Sequence, residues 1–276
     1  MSTPKLFEGQ TALVTGGGWN IGRATAFHLA ALGARVAVAG RRIDRLTETV
    51  TRITESGGVA KSISADCSDG EQCARLISET EAEFGPIDLC CSFAGGGMVE
   101  QPLDQIPATA VASVVTDNLL TAALTTRAVL PGFRERNRGT LILAAGGGAF
   151  VPVLGSHLSI YAAAKAGVCR LADQMTAETW DTGIRIFAID PGRVPDEDRR
   201  AAFEAHHAAQ GEPHPESEGA VPPEAAAELV VALHDETSHP MRGRCVSVHD
   251  TWWRDAESRA AVEATIHAYR LRRADL

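Results

Sequence analysis

Residues 11–22 of the chain read TALVTGGGWNIG, an apolar run followed by three glycines and the beginning of an amphipathic stretch. The apolar residues 11–15 predict a strand and residues 20–32 a helix, so the glycines lie at a strand-to-helix turn. Glycines at such a turn let the backbone approach a pyrophosphate, and the helix N-terminus favours its negative charge. Glycines alone also occur in tight turns without a ligand, but the flanking strand and helix favour a dinucleotide site.

The same alternation of strand and helix continues along the chain. Further strands are predicted at 35–39, 59–64, 87–92, 140–145, 184–189 and 244–248, with helical segments at 43–56, 69–84, 103–136, 159–180 and 223–234. Strands separated by helices of about a dozen residues form βαβ crossovers, which place the strands parallel in one sheet. We therefore predict a single α/β domain, a three-layer, doubly wound parallel sheet of about seven strands.

The composition excludes several classes of partner. The net charge of −9 at pH 7 disfavours nucleic acid and anionic membranes, which bind basic surfaces. The first residues lack the apolar segment of a secretory signal, and no apolar run reaches the length that spans a bilayer. The cysteines lack the spacing of zinc ligands. We therefore expect a cytoplasmic protein with no metal site that acts on a small molecule.

Two arginines follow the second predicted strand, where Arg41 and Arg42 precede the first acid, Asp44. An acid at this place binds the ribose 2′-hydroxyl of NAD, whereas arginine accommodates the 2′-phosphate of NADP. The pair therefore favours NADP(H) over NAD(H), the alternative being that both are solvated residues at a helix start. Asp66, after the third strand, either accepts a hydrogen bond from the adenine amino group or caps the next turn.

The spacing of Tyr161 and Lys165 is the sharpest local signal, since the chain contains only two tyrosines. On a helix, residues four apart lie on one face. A lysine ammonium beside a phenol stabilises the phenolate and lowers the tyrosine pKa toward neutrality. Such a tyrosine exchanges a proton with a carbonyl or alcohol oxygen while hydride moves to or from a nicotinamide. The alternative is an ordinary pair on a helix surface.

With these motifs in place, the chain resembles the classical short-chain dehydrogenase/reductase family from about residue 9 to about residue 250. The glycine motif matches residues 15–22, the Tyr-x-x-x-Lys motif matches Tyr161 and Lys165, and the active-site asparagine matches Asn118. The Pro-Gly pair at 191–192 matches the one that lies next to the nicotinamide. The resemblance implies a Rossmann-type sheet with strand order 3-2-1-4-5-6-7, a homo-tetramer or homo-dimer, and a water held by Asn118 that connects Lys165 to solvent.

Two sets of site residues follow from the local patterns and the resemblance. The predicted catalytic residues are Tyr161, Lys165 and Asn118, with Ser159 as a substitute hydroxyl. The predicted cofactor-binding residues are Gly16, Gly18, Asn20, Ile21, Gly22, Arg41, Arg42, Asp66, Cys67, Ala94, Gly95, Tyr161, Lys165, Pro191, Gly192 and Val194.

The sequence departs from the family pattern at several of these positions. Asn20 stands where the family has its middle glycine, Phe93 replaces an asparagine after the fourth strand, and Asp196 replaces a threonine after the Pro-Gly pair. Asparagine tolerates the left-handed conformation better than most residues do. Asp196 puts an acid near the cofactor's amide and phosphates, which is unusual for this family.

The largest departure is the missing catalytic serine after the fifth strand. The chain has glycines there, with Gly146 or Gly148 at the expected position, depending on loop length. That serine donates a hydrogen bond to the reacting oxygen, and losing one such donor costs roughly 10²- to 10³-fold in rate in other enzymes. Ser156 or Ser159, shortly before Tyr161, are the candidates to replace it.

Two further segments are predicted to lie outside the packed core: a flap within the domain and a C-terminal extension. Residues 193–222 are polar and rich in Pro, His and acids, so we predict a flexible flap over the substrate, within a domain spanning residues 1–250. Its histidines, 206, 207 and 214, either meet a substrate or are solvated. Residues 251–276 form an extension that packs on the same domain or on a neighbouring subunit. Trp252 and Trp253 within it either wall the pocket or lie at an interface.

Three functions remain open at this level. The first is an NADP(H)-dependent oxidoreductase that interconverts a ketone and a secondary alcohol. The second is an isomerase, cyclase or dehydratase that uses the cofactor structurally or transiently, which the missing serine and Phe93 suggest. The third is a catalytically silent NADP-binding protein, against which the intact Tyr161, Lys165 and Asn118 argue.

Overall fold

The computed structural model describes residues 5–214, 217–265 and 267–271. In this part of the chain, seven parallel strands form one sheet in the order β3-β2-β1-β4-β5-β6-β7. The strands are β1 Thr11–Thr15, β2 Arg35–Gly40, β3 Val59–Ser64, β4 Leu89–Ser92, β5 Arg138–Ala144, β6 Gly183–Asp190 and β7 Cys245–Ser247. The predicted Rossmann-type class, single domain and strand order are confirmed.

Helices cover both faces of the sheet. They are α1 Asn20–Ala31, α2 Ile43–Glu55, α3 Gly70–Phe84, α4 Ala108–Val115, α5 Thr121–Glu135, α6 Ser159–Glu178, α7 Glu197–Gln210, α8 Pro223–His234 and α9 Ala256–Glu263. Successive strand side chains alternate between two buried clusters, so Leu13 packs toward α3, α5 and α6, whereas Val14 packs toward α1, α2 and α8. The result is the predicted three-layer arrangement.

The strand order creates a crevice at one edge of the sheet. β1 pairs with both β2 and β4, so the crossovers that follow β1 and β4 leave on opposite sides. Ligands of doubly wound sheets bind outside the carboxyl ends of the strands at this point. The fold therefore places the turns that follow β1, β2, β4, β5 and β6 around one opening.

The helical stretch Ala108–Glu135 runs through α4, a π-helical turn at Thr116–Leu120, and α5. By length and composition alone this stretch could span a membrane. In the fold, α5 packs on α3, β4 and β5, and the π-helical turn packs on α6. Asn118 is buried in the middle of the stretch. One side of the stretch therefore packs on the sheet and its helices, while most of its apolar window is not buried.

The segment predicted as a flap contains a regular helix, α7. Asp196 caps it by accepting a hydrogen bond from the Arg199 N–H at 2.8 Å, and Gly211 ends it in the left-handed conformation with φ of 72°. An acidic N-cap and a C-terminal glycine are ordinary helix signals. The Pro- and His-rich composition of residues 193–222 obscured them. Residues 215 and 216 of the flap lie outside the described residues.

The C-terminal extension contacts its own chain wherever it is described. Trp252 and Trp253 are buried in the cluster that also holds α1 and α8. The Cys245 N–H donates to the Tyr269 carbonyl at 2.9 Å, and the buried Arg244 guanidinium donates to the Val262 carbonyl at 3.2 Å. Residues 266 and 272–276 of the extension lie outside the described part of the chain.

A buried histidine under the sheet makes stability depend on pH. His234 Nδ1 lies 2.9 Å from Thr140 Oγ1, and Nε2 lies 2.7 Å from Gln10 Oε1. Its ring stacks on Phe7 at 5.0 Å. Burial, followed by the positive charge of Arg185, lowers the pKa of His234 from 6.5 to about 4. The folded protein therefore holds a neutral imidazole here.

We expect the free energy of unfolding to fall as the pH drops from about 6.5 to about 4, because the unfolded chain binds this proton first. The contribution of His234 is about 3 kcal/mol across that window and constant above it. Urea unfolding at a series of pH values measures it. His234→Gln should show a flatter dependence on pH than the wild type, and equal slopes would contradict the assignment.

Candidate active site

A cavity of about 1120 Å³ opens at the carboxyl ends of the strands. All sixteen residues that the sequence predicted to bind the cofactor line it, including Gly16 after β1, Arg41 after β2, Tyr161 on α6 and Pro191 after β6. The sheet thus brings together segments that are far apart in the chain. Asn118 and Ser159 are the two predicted site residues that do not line the cavity.

The first glycine turn has no room for side chains at several positions, among them Gly16 and Gly22. A Cβ on Gly22 would lie 2.3 Å from the Gly16 carbonyl oxygen, and a Cβ on Gly16 would lie 2.7 Å from the Phe93 carbonyl oxygen. Gly16 also has φ of 70°, and Asn20 has φ of 43°, a left-handed conformation that asparagine tolerates. The backbone therefore forms the close-fitting cradle that a pyrophosphate requires.

A buried arginine holds this turn in place. Arg23 is 3% exposed, and its guanidinium donates to the Gly18 carbonyl at 2.7 Å. The same group forms ion pairs with Glu48 of α2 at 2.9 Å and with Glu197 of α7 at 3.2 Å. Arg23 thereby connects the glycine turn, α2 and the flap. The sequence analysis missed it, although an arginine on the predicted helix directly after the glycine motif was a visible signal.

More arginines surround Trp19 at the end of the cavity formed by the turns after β1 and β2. The guanidinium carbons of Arg45 and Arg42 lie 4.4 Å and 5.9 Å from the centre of the Trp19 ring. The Arg41 side chain is 68% exposed and lies 4.0 Å from the Asp117 carboxylate. Arg45 and Trp19 were not predicted, because their side chains meet only when α2 packs beside the glycine turn. The cluster gives this end of the cavity a concentrated positive charge.

Asp66 caps the turn that follows β3. Its Oδ1 accepts from the Ser68 N–H at 2.9 Å and from the Ser68 hydroxyl at 2.7 Å. These two bonds, and more weakly the charge of Arg41, lower the pKa of Asp66. The capping alternative is therefore what the structure displays, and a contact with adenine stays a prediction.

Asn118 lies beneath the cavity and shapes its wall. The side chain is 2% exposed, donates to the Gly97 and Val114 carbonyls at 2.7 Å and 2.9 Å, and accepts from the Gly96 N–H at 3.2 Å. It sits in a π-helical turn, a feature that often marks functional sites. Its side chain is therefore bonded to the glycine-rich segment 95–97 that follows β4, and to α4. The role that the resemblance implies for Asn118, holding a water that connects Lys165 to solvent, stays a prediction.

Lys165 is buried beside Tyr161 but turned toward the sheet. Its ammonium donates to the Ala144 carbonyl at 2.9 Å and lies 5.6 Å from the centre of the Tyr161 ring. Burial lowers the pKa of Lys165 to about 8. The pKa of Tyr161 is raised, first by burial and then by the negative charge of Asp190. The expectation that Lys165 lowers the tyrosine pKa is thus wrong for the protein without cofactor, because desolvation dominates.

Gly146 lies closer to the Tyr161 hydroxyl than Gly148 does. A Cβ on Gly146 would lie 2.7 Å from the Tyr161 hydroxyl oxygen, whereas a Cβ on Gly148 would face Ala162. Of the two alternatives left by the sequence, Gly146 is therefore the residue beside the reacting group. The hydroxyl of Tyr161 partly fills the space that a serine side chain would take.

Neither candidate serine replaces the missing hydroxyl in this structure. Ser156 donates to the Val153 carbonyl at 2.8 Å, and Ser159 is exposed at the first turn of α6. Residues two apart on a helix point roughly 200° away from each other, so Ser159 faces away from Tyr161. The assignment of Ser159 as a catalytic residue is therefore not supported. Thr121 lines the cavity, but its hydroxyl is bonded to the Ala94 and Asp117 carbonyls.

The flap and the end of β7 complete the cavity. Asp196, Arg199 and Phe203 of the flap line it, as does His249, which the sequence analysis did not single out. The flap histidines do not line it. The rings of His206 and His214 instead lie 4.9 Å apart. Among the described residues, no group of three or more His, Cys, Asp or Glu side chains could hold a metal ion.

The crevice, the glycine cradle and the Tyr161–Lys165 pair define a nicotinamide-dependent α/β oxidoreductase. Residues 10–206 match the model of the short chain dehydrogenase family. The protein therefore belongs to the short-chain dehydrogenase/reductase family.

Individual relatives agree with this placement. A short chain dehydrogenase of Pseudocercospora fijiensis is 37% identical over 202 residues, which are 70% of this chain and 64% of that protein. Levodione reductase of Leifsonia aquatica is 31% identical over 248 residues, covering 84% of this chain and 90% of the reductase. A crystal structure of an actinorhodin polyketide ketoreductase variant with NADPH superposes with a TM-score of 0.77 at 25% identity. That superposition covers 87% of this chain and 95% of the other.

Proposed function

We propose that the protein is an NADP(H)-dependent oxidoreductase that interconverts a ketone and a secondary alcohol, with Tyr161 as general acid and base. The observation that carries this proposal is the shared cavity: the Tyr161 hydroxyl lies in the same opening as the glycine cradle and the arginine cluster. A dinucleotide extended along that opening would present its nicotinamide to Tyr161. Relatives named as dehydrogenases and reductases support the reaction type.

Each part of the cavity has a task in this proposal. The glycine cradle and the N-terminus of α1 would hold the pyrophosphate, and Arg41 and Arg42 would bind the 2′-phosphate. Lys165 would bind the nicotinamide ribose through its ammonium. When bound, the nicotinamide supplies or accepts the hydride. Tyr161 donates the proton to the carbonyl oxygen in one direction and removes it from the alcohol in the other.

The substrate end of the cavity is mainly apolar. Met98, Val153, Leu158 and Phe203 line it, and they come from three separate segments: the turn after β4, the loop between β5 and α6, and α7. Apolar lining with a few polar groups is typical of sites for small apolar molecules. We propose that the substrate is an apolar carbonyl compound or its alcohol. A panel of ketones of graded polarity, followed by cofactor absorbance, tests this.

Gly146 supports a second candidate function. Without the serine, the site has fewer donors for an oxyanion, so an isomerisation, cyclisation or dehydration with the cofactor used structurally or transiently remains the alternative. Carbonyl reduction and these non-redox reactions differ in stoichiometry, because only reduction consumes one NADPH per product. Tight NADPH binding without any turnover would instead favour a silent binding protein.

We also propose that the protein forms a homo-dimer or homo-tetramer in the cytoplasm. A groove of about 310 Å³ between α5 and α6 is lined by Leu130, Leu171 and Met175 and faces outward. Apolar surface of this kind favours association with a second copy. Sedimentation velocity measures the oligomeric state.

Replacing both Arg41 and Arg42 with alanine is expected to raise the Kd for NADPH by roughly 10- to 100-fold and to leave the Kd for NADH nearly unchanged. The reason is that only the 2′-phosphate would need these guanidinium groups. Calorimetric titration with both cofactors measures the difference. Arg75→Ala, which removes an exposed arginine paired with Glu79, is the control for lost charge. An equal increase in the Kd for NADH and for NADPH would contradict the assignment of Arg41 and Arg42 to the 2′-phosphate.

A further inference from the structure

An acid lies at the end of β6, next to the reacting tyrosine. β5 and β6 pair in register with Ala144 opposite Ile189, and the Ala145 N–H donates to the Ile189 carbonyl at 2.8 Å. Asp190 therefore lies beside the chain that enters Gly146, over which the Tyr161 hydroxyl lies. Asp190 and Tyr161 both line the cavity. Neither the glycine motif nor the Tyr161–Lys165 pair draws attention to this acid.

The alternation of side chains places Asp190 on the same side of the sheet as Tyr161. Ile186 and Ala188 pack in the cluster that contains Val168 of α6, whereas Ile189 packs on the opposite face. Side chains two apart on a strand share a face, so Asp190 points toward α6. Its Oδ1 accepts from the Gly192 N–H at 3.1 Å, which fixes the carboxylate.

Other charged groups face this part of the cavity. Lys165 comes from α6, Asp117 from the π-helical turn, Arg193 and Asp196 from the flap, and His249 from the segment after β7. The Lys165 ammonium is bonded to the Ala144 carbonyl. Asp190 lies among these groups at the end of β6, and its negative charge raises the pKa of Tyr161, after the larger effect of burial.

We propose that Asp190 holds Tyr161 in its protonated form and thereby biases the site toward carbonyl reduction. This proposal rests on the proposed function of Tyr161. In reduction, the carbonyl carbon receives hydride from the reduced nicotinamide and the oxygen takes the phenol proton, which solvent then replaces. Alcohol oxidation needs the phenolate instead, to accept the hydroxyl proton. A carboxylate beside Tyr161 favours the protonated phenol and disfavours the phenolate. Asp190 is a positioning residue in this scheme, acting through Tyr161.

The chain allows a direct measurement of Tyr161, because Tyr269 is its only other tyrosine. In a Tyr269→Phe background, the ultraviolet absorbance of tyrosinate reports Tyr161 alone, without substrate or cofactor. Asp190→Asn keeps an oxygen acceptor for the Gly192 N–H and removes the charge. We expect the tyrosinate midpoint to fall by about one pH unit in this variant. Circular dichroism at each pH confirms that the protein is folded.

Glu55→Gln removes one exposed charge at the end of α2 and is the control for net charge, with no shift expected. Should Asp190→Asn fail to fold, Asp190→Ser, which can also accept from the Gly192 N–H, is titrated instead. An unchanged midpoint in a folded variant overturns the proposal.

The pH dependence of turnover provides the second readout. In Asp190→Asn, the alkaline limb of carbonyl reduction and the rising limb of alcohol oxidation should both move to lower pH, by about one unit. A shifted tyrosinate midpoint together with turnover that survives Tyr161→Phe would refute the proposed function and leave the electrostatic effect of Asp190 intact. An unshifted midpoint with normal Tyr161-dependent turnover would refute the inference alone.

Discussion

Tyr161→Phe is expected to lower kcat/KM for carbonyl reduction by roughly 10³- to 10⁴-fold, at the upper end of what one general acid contributes. The size of the effect follows from Gly146. Where the family has serine and tyrosine together, this site has the Tyr161 hydroxyl alone, since the hydroxyl of Thr121 is bonded to two backbone carbonyls. Removing the Tyr161 hydroxyl therefore leaves the substrate's carbonyl oxygen without a side-chain hydroxyl donor from the described lining of the cavity.

Steady-state rates with NADPH and an accepted ketone measure this effect. The affinity for NADPH should change little, because phenylalanine keeps the ring and Lys165 keeps its bond to the Ala144 carbonyl. Tyr269→Phe is the matched control, since that tyrosine lies in the C-terminal extension against Trp252 and should leave turnover unchanged. Turnover of Tyr161→Phe within a few-fold of wild type would remove Tyr161 from the mechanism.

Gly22→Ala is expected to weaken NADPH binding by roughly 100-fold. The added Cβ would lie 2.3 Å from the Gly16 carbonyl oxygen, a backbone atom that cannot turn aside. Helix α1 must therefore move away from the glycine turn, and the backbone N–H groups that would hold the pyrophosphate separate. We also expect a loss of about 1–3 kcal/mol in the free energy of unfolding, which is typical of overpacking.

Calorimetric titration with NADPH and urea unfolding measure the two consequences of Gly22→Ala separately. Gly70→Ala is the matched control, because a Cβ there meets its nearest neighbour, Leu124, at 3.8 Å, an ordinary contact, and lies outside the cavity. Gly70→Ala should bind NADPH as the wild type does. Wild-type affinity in Gly22→Ala would mean that the glycine turn does not hold the cofactor.

Much of the fold was predictable because it depends on patterns that repeat along the chain. The apolar runs and the amphipathic stretches between them define βαβ crossovers, and the resemblance supplied the strand order. The helix α7 was missed because the composition of residues 193–222 pointed to an irregular flap. Its cap residues, Asp196 and Gly211, are local signals that a closer reading would have found.

Which of the proposed cofactor-binding residues gather around one cavity was predictable, since each segment follows a strand end and strand ends meet at one edge of the sheet, while their contacts with a cofactor stay predictions. The geometry around Tyr161 and Lys165 was less predictable from the sequence. Neither the burial of Tyr161, which raises the tyrosine pKa, nor the bond of Lys165 to the Ala144 carbonyl can be inferred from their spacing. Asp190, Arg23 and the stack of Arg45 on Trp19 arise from contacts between distant segments. Contacts between segments that are far apart in the chain cannot be predicted from local sequence patterns.

The ion pair between Arg23 and Glu197 bears on how a substrate could enter. Glu197 is the first residue of α7, and its partner is buried against the glycine turn, so this end of the helix is tethered to the most rigid wall of the site. No residue of α7 is buried, so this ion pair is a main attachment of the helix at its N-terminal end. When a reactant enters, we therefore expect the end of α7 near Gln210 to move farther than the end at Glu197, which the ion pair with Arg23 holds at the glycine turn.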